Sequence, residues 1–320
     1  MVALPAGAGP FRRLWRRDQV RIWAALTPAL LLVGVLFGGA VVLAVARSVG
    51  MLSSVAAPGG GGPSLDAYRS LVASPEFVRS VVLTLHVAVT STTLAVGLGV
   101  GAALVLRRVL RGRRVLTTLF QVNLPVPHVI GAVAILSLVG QSGLLSRLAT
   151  QTGIIDGPSG FPAVVFDPLA IGVILQYVWK EVPFVGIVAL AILRTVGDDL
   201  DEAARTLGAT AWQRVRHVTL PLVLPGVLSA AIIVFAFTFG TFEVPLLLGR
   251  SFPAVLPVLA HQRYTDPDLA ARPEAMAISV VITLVALLVV VAGAMIARRT
   301  IRPSLALVRD APSDPIGGRR

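Results

Sequence analysis

Six long apolar stretches limit what this chain can fold into. A bilayer core requires about 20 mostly apolar residues for each helix that crosses it. The stretches lie at about residues 22–46, 77–106, 115–139, 168–193, 221–248 and 276–297. Only 14% of the 320 residues are charged, whereas a soluble domain carries about 25%. We therefore predict an all-α integral membrane protein with six transmembrane helices, a multi-pass protein of the cell (cytoplasmic) membrane.

The positions of the basic residues predict the orientation of these helices. Of the 28 Lys and Arg residues, 20 lie on one side of the predicted membrane, in segments 1–21, 107–114, 194–219 and 298–320. Seven lie in the segments of the opposite side. Cytoplasmic loops carry the excess of Lys and Arg, so both termini and the loop 194–219 are predicted to be cytoplasmic.

The same pattern divides the chain and accounts for its net charge of +12. We predict a basic cytoplasmic N-terminus at 1–21, a transmembrane domain at 22–297 and a cytoplasmic tail at 298–320. The arginines occur in short runs beside apolar segments, as the positive-inside rule expects. This placement argues against nucleic acid as a partner.

Several kinds of chemistry are missing from the sequence. The absence of cysteine excludes disulfides and cysteine–zinc sites. A P-loop needs a lysine after its second glycine, but the single lysine, Lys180, stands between Trp179 and Glu181. The four histidines are scattered, and Gly97-x-Gly99-x-Gly101 lies within a span, where close helix packing is expected. We predict that the chain is not an enzyme and binds no cofactor or metal itself.

The cytoplasmic loop contains a polar segment of fixed spacing, Glu202-Ala203-Ala204-x3-Gly208-x9-Val218-x-Leu220-Pro221. Aspartates 198, 199 and 201 predict a helix start, because carboxylates suit the positive end of the helix dipole. Leu200, Ala203, Ala204 and Leu207 recur at helical spacing as one apolar stripe, and Gly208 is expected to end the helix. The stripe either meets a partner protein or packs under the chain's own helices.

At these residues the sequence resembles the permease subunits of binding-protein-dependent ABC importers. Their signature is Glu-Ala-Ala-x3-Gly-x9-Ile-x-Leu-Pro, and Val218 in place of isoleucine is the only departure. The resemblance covers about 75–297 and includes Leu124-Pro125-x-Pro127, which opens the third span in that family. It implies the type I ABC importer permease fold, in which this loop forms a coupling helix that inserts into an ATPase subunit. The coupling residues would be Glu202, Ala203, Ala204, Gly208, Leu220 and Pro221.

The resemblance also implies partners. ATP and Mg²⁺ would bind to two separate ATPase subunits. A second permease subunit would complete the pathway. The resemblance favours a relative of this chain over a second copy of it. An extracytoplasmic solute-binding protein would deliver the substrate, and membrane lipids would surround the spans.

Charged residues inside spans are the candidates for lining the pathway, because they are costly in lipid and usually face a cavity or a partner. Lys180 and Glu181 lie near the middle of the fourth span, close to Pro183. They either line the path or belong to an ion pair, such as Lys180 with Glu243, that holds helices together. In the fifth span the candidates are Phe239, Thr241 and Glu243, with core packing as the alternative for the phenylalanine. Gly240 and Pro245 predict an irregular helix there.

The substrate is the least determined feature. The segment Gly240–Pro245, followed by leucines and Gly249, is similar to permeases of the polyamine, ferric-ion and phosphonate importer group. From this resemblance we predict spermidine/putrescine transport, with ferric ion, phosphonate, sulfate, thiamine and sugar as alternatives. An ion-driven secondary transporter is the remaining alternative of a different class.

Overall fold

The computed structural model describes residues 10–51, 63–108, 113–196 and 199–309, and all its regular elements in these ranges are helices. The first seven are α1 Pro10–Val33, α2 Gly39–Ser48, α3 Asp66–Ala73, α4 Pro75–Arg108, α5 Arg113–Gln121, α6 His128–Val139 and α7 Leu144–Gln151. The other seven are α8 Ile171–Val196, α9 Asp199–Thr206, α10 Ala211–Arg214, α11 Leu220–Gly240, α12 Glu243–Leu248, α13 Leu256–Tyr264 and α14 Arg272–Arg309. A π turn joins α1 to α2, and a second joins α10 to α11.

Six helical stretches in the described ranges are long and apolar enough to cross a membrane. They are Arg21–Ser48, Pro75–Arg108, His128–Gln151, Ile171–Thr195, Ala211–Gly240 and Leu269–Ala297. The predicted all-α fold with six apolar helices is therefore confirmed. Residues 1–9, 310–320 and Asp198, which the sequence analysis assigned to the termini and the loop helix, lie outside the described ranges.

The third span differs from the prediction of 115–139. The helix that begins at Arg113 ends at Gln121, and a new helix begins at His128. Pro125 and Pro127 lack the N–H that a continuous helix needs, and their rings clash with carbonyls one turn earlier. The apolar stretch is consequently divided, and the membrane-length segment runs from His128 to Gln151.

The fifth span also differs from the prediction of 221–248. Its helix ends at Gly240, Thr241 is extended, and the short helix α12 begins at Glu243. In an unbroken helix the ring of Pro245 would meet the carbonyl of Thr241. The break moves Pro245 into the first turn of α12, so the irregularity predicted from Gly240 and Pro245 is confirmed.

Helices α4 and α8 form the centre of the bundle because Gly99 lets their backbones approach. A Cβ atom on Gly99 would lie 2.9 Å from the carbonyl oxygen of Val182 and 3.0 Å from the amide nitrogen of Gly186. Gly97 and Gly101 have open space beside them. The predicted packing role of this glycine segment is therefore confirmed for Gly99.

Three clusters of buried apolar residues make up the core of the described ranges. The first joins α4, α6, α8, α12 and α13, and the second joins α4, α8 and α11. The third joins α3, α4, α11, α13 and α14. The span Arg21–Ser48 contributes none of its most apolar window to this core, so it is held chiefly by α2, which contacts α14.

Candidate functional site

Helix α9 forms the predicted helix of the cytoplasmic loop. Asp199, Asp201 and Glu202 occupy its first turn, where carboxylates stabilise the free N–H groups. The helix ends at Gly208, whose φ of +83° is readily adopted only by glycine. The amide of Gly208 donates to the carbonyl of Arg205, and the amide of Ala209 donates to that of Ala204.

The apolar stripe of α9 is largely uncovered. Leu207 is 88% exposed, Leu200 and Ala203 are also exposed, and Ala204 is half-buried. The sequence left open whether the stripe meets a partner protein or packs under the chain's own helices. In this structure the stripe does not pack under those helices. Within the described ranges, Glu202 is exposed as well, and its side chain forms no ion pair or hydrogen bond.

Contacts with α10 hold α9 in place. The guanidinium Nε of Arg214 lies 3.2 Å from Oδ1 of Asp201, and its Nη1 donates to the carbonyl of Ala209 at 3.0 Å. Thr210 begins α10 with a capping box, in which its hydroxyl and the side chain of Gln213 each bond the other's backbone amide. The described residues 199–219 of the loop therefore form a helix–turn–helix held by these contacts.

Trp212 is a surface residue that sequence reasoning missed. It is 69% exposed on α10, directly after the turn at Gly208. An indole exposed at this level beside an uncovered apolar stripe is unusual for a surface that meets only water. The signal in the sequence was a tryptophan within the spacer of the Gly208-x9-Val218 motif.

Leu220 and Pro221 lie at the start of α11, directly after the loop. Both are exposed, and the helix reaches them through the π turn Val215–Thr219. Pro221 has no N–H to donate to the carbonyl of His217, and its ring crowds that carbonyl. The wider turn accommodates this, so these two residues shape the entry into the fifth span.

Lys180 is buried, with 6% of its surface exposed. Its ammonium donates to the carbonyl oxygens of Asn123 at 2.6 Å and Leu124 at 2.8 Å, and also to that of Val126. Among the described residues it therefore bonds to backbone acceptors rather than to Glu243. The ammonium faces the break between α5 and α6, not an open surface.

Glu181 has a different environment from its neighbour. Its Oε1 lies 3.3 Å from Nε2 of His128, the first residue of α6. The ring of Phe237 lies 4.7 Å from the His128 ring, and Tyr177 meets Phe237 edge-on at 6.5 Å. These groups come from α6, α8 and α11, and the sequence analysis had not connected His128 or Tyr177 with Glu181.

The candidates in the fifth span are separated by the structure. Glu243 is exposed at the start of α12, which packs against α6 and α8. Thr241 is half-buried, and its hydroxyl donates to the carbonyl of Phe237 at 2.8 Å. Phe239 is 1% exposed and stacks on Phe235 at 5.8 Å. Phe239 therefore packs in the core of this structure, which is the alternative that the sequence left open for it.

The described residues contain no group of three or more His, Asp or Glu side chains arranged to hold a metal ion. The charged groups described in the bundle include the buried ammonium of Lys180, the Glu181–His128 pair and the exposed carboxylate of Glu243. Such an arrangement can line a polar path.

The described residues form a helical bundle with six helices long and apolar enough to cross a membrane. The family model described as "Binding-protein-dependent transport system inner membrane component" matches residues 95–305. The match covers more than half of the chain, so the chain belongs to this family of ABC importer permeases.

Relatives with known names include permeases of several importers. The chain is 37% identical over 232 residues to the molybdenum transport system permease protein ModB of Mycobacterium bovis, covering 70% of this chain and 81% of the relative. It is 33% identical to a probable molybdenum ABC transporter permease protein of Haloferax volcanii, covering 59% and 65%. It is 29% identical to the trehalose/maltose transport system permease protein MalF of Thermococcus litoralis, covering 58% and 62%.

A solved structure shares the fold. It is a bacterial ABC transporter involved in the import of the acidic polysaccharide alginate, with a TM-score of 0.72 and 21% identity. The match covers 90% of this chain and 99% of the other. The predicted type I ABC importer permease fold is confirmed by this likeness and by the family model.

Proposed function

We propose that this chain is one permease subunit of an ATP-driven importer of the cytoplasmic membrane, and that α9 is the helix through which it is driven. The observation that carries this assignment is the uncovered α9 surface, on which Glu202 has no partner in the described ranges while Leu207 is 88% exposed. An exposed carboxylate beside an apolar stripe offers a partner both charge recognition and apolar burial.

In this proposal ATP and Mg²⁺ bind to two separate ATPase subunits. A second permease subunit, a relative of this chain, contributes the other half of the path. A solute-binding protein docks on the extracytoplasmic side, and ATP binding favours one arrangement of the spans over the other. ATP can shift this equilibrium only as far as it binds one state better than the other.

The pathway is assigned to the region of the exposed Glu243 and the half-buried His128, whose partner Glu181 is 9% exposed. A charged side chain is costly in contact with lipid, so the exposed carboxylate of Glu243 is expected to meet water or the second permease. The half-buried hydroxyl of Thr241 lies at the adjoining helix break. Lys180 is excluded from the pathway because its ammonium is enclosed by carbonyl oxygens.

The substrate that the relatives favour is molybdenum as the oxyanion molybdate. Two permeases named for molybdenum transport are 37% and 33% identical to this chain, and the trehalose/maltose permease is 29% identical. The spermidine/putrescine prediction gains no support from these relatives. The carboxylates Glu181 and Glu243 would suit a cation by charge alone, but a path that opens alternately to each side need not bind its cargo tightly.

The test is transport by the reconstituted complex. The chain, its second permease and its ATPase are placed in liposomes with the solute-binding protein, and ATP-dependent uptake is compared for molybdate, sulfate, trehalose and spermidine. We expect molybdate uptake that requires ATP. Uptake of spermidine in preference would overturn the substrate assignment, and uptake by the chain alone along an ion gradient would overturn the ATP-driven mechanism.

A further inference from the structure

The break between α5 and α6 leaves backbone acceptors inside the bundle. Residues 122–127 are not helical, although the amides of Leu124 and Val126 form turn bonds to the carbonyls of Gln121 and Asn123. At membrane depth every backbone acceptor needs a partner, because lipid offers none. The carbonyls of Leu124 and Val126 lie outside the helices that flank the break.

Lys180 supplies the missing donors. An ammonium group carries three N–H donors, and Nζ of Lys180 reaches the three carbonyl oxygens of Asn123, Leu124 and Val126. A buried cation is costly unless it is well bonded. The lysine and the break therefore satisfy each other, and either alone would be unfavourable in the bundle.

A second bond runs in the opposite direction. Pro183 lies inside α8 and has no N–H to donate to the carbonyl of Trp179, one turn earlier. The side-chain amide of Asn123 donates to that same carbonyl. Carbonyl oxygens of the break thus accept hydrogen bonds from Lys180 on α8. In return, Asn123 in the break donates one to the Trp179 carbonyl, which Pro183 leaves without its helical donor.

This reciprocal joint lies directly beside the His128–Glu181 pair of the proposed pathway. His128 follows Pro127 directly and pairs with Glu181, the residue after Lys180. In addition, the amide of Gln176 donates to the carbonyl of His128 at 3.0 Å. Helix α8 extends from this joint to Val196, close to the start of α9 at Asp199.

We propose that Lys180 is a positioning residue, which locks the α5–α6 break to α8 so that a movement of α9 reaches the His128–Glu181 pair. The inference rests on the proposed function, since it requires α9 to be the driven element. While Lys180 is bonded to the break, α6 and α8 move together, so each movement of α9 changes the pathway. Without the lock, α8 moves and the start of α6 does not follow.

The deciding measurement is the number of substrate molecules taken up per ATP hydrolysed by the reconstituted complex. Lys180→Met keeps the length of the side chain and removes its donors. We expect association with the ATPase and ATP hydrolysis to persist, while uptake per ATP falls by about tenfold, within the usual range for coupling between two sites. Lys180→Arg keeps donors and is expected to restore part of the ratio.

Val173→Ala is the matched control, because Val173 is fully buried on α8 and takes no part in the joint. It should lower thermal stability without changing uptake per ATP. If Lys180→Met likewise lowers only stability or yield and leaves the ratio unchanged, Lys180 is merely structural and the inference is wrong.

Asn123→Leu provides a second variant should Lys180→Met fail to accumulate in the membrane. It removes the bond to the Trp179 carbonyl and leaves the bonds of Lys180 in place, so a smaller fall in the ratio is expected. Adding Pro183→Ala restores a helical donor for Trp179 but not the Asn123 bond between the break and α8, so stability should recover while the ratio stays below that of the wild type. Recovery of both would overturn the inference. A wild-type complex that shows no ATP-dependent uptake would instead count against the proposed function.

Discussion

Arg214 on α10 holds Asp201 on α9 at 3.2 Å, and both side chains are largely buried in the contact. This ion pair fixes the exposed α9 surface relative to the fifth span. We predict that Arg214→Ala weakens binding of the ATPase about fivefold, because a partly buried pair contributes about 1 kcal/mol. Arg216→Ala, an exposed neighbour, is the control and should bind normally; equal effects from both variants would contradict the prediction.

Reversal of the charge at Glu202 should prevent ATPase association. Glu202→Arg introduces a cation where the proposed partner meets a carboxylate, and close like charges at an interface cost several kcal/mol. Co-purification of the ATPase with the detergent-solubilised permease is the measurement. Arg205→Ala on the same exposed helix is the control and should leave co-purification intact. If the ATPase still co-purifies with the Glu202→Arg permease, α9 is not the coupling helix.

Trp212 is predicted to be an anchor of the same interface. Exposed tryptophans that become buried in a complex often contribute about 2 kcal/mol or more to binding. Trp212→Ala should therefore weaken ATPase binding by about thirtyfold or more, as measured by titration of the ATPase against labelled permease in nanodiscs. Leu220→Ala, on α11 beyond the π turn, should have a much smaller effect. The reverse order would place the interface on α11.

Substitution of Gly208 tests the geometry of the turn separately from its contacts. A Cβ atom there would meet nothing within 4 Å, but φ is +83°. Gly208→Ala should therefore cost about 1–2 kcal/mol through backbone strain alone, and Gly208→Asn should cost less because asparagine tolerates this conformation. Hydrogen exchange at the amide of Ala209 reports the opening of the turn. Equal exchange rates in the two variants would argue against strain as the cause.

The close approach of α4 and α8 gives a paired prediction. Gly99→Ala places a methyl group 2.9 Å from the carbonyl oxygen of Val182, and overpacking of this kind costs about 1–3 kcal/mol. Gly101→Ala enters open space and should be neutral or stabilising, because alanine favours helix by about 1 kcal/mol over glycine. Thermal unfolding in detergent should separate the variants, and similar melting temperatures would mean that the helices adjust.

The sequence was sufficient for features that depend on neighbours along the chain. The apolar lengths predicted six spans, and the spacing around Gly208 predicted the helix and its end. The prediction of a third span at 115–139 was wrong because it followed the hydropathy of the segment and gave too little weight to Pro125 and Pro127. These two prolines interrupt the helix locally. For Phe239 the sequence left both the path and core packing open, because no local pattern distinguishes a buried ring from one that lines a surface.

Features that depend on distant partners could not be read from the sequence. Lys180 was considered as a path residue or as a partner of Glu243, since a charge in a span calls for compensation. Its actual acceptors are backbone carbonyls, which have no sequence signature of their own. The same applies to His128, whose pairing with Glu181 depends on where α6 begins.

The joint between Asn123 and α8 has a consequence for how such a protein can change over generations. Asn123 and Lys180 lie 57 residues apart in the chain, yet each completes a backbone that a proline has interrupted in the other's segment. A recombination event that replaced one segment alone would leave backbone carbonyl oxygens without hydrogen-bond donors inside the bilayer. We expect the two segments to be inherited together, with Pro125, Pro127 and Pro183 gained or lost in step with the side chains that serve them.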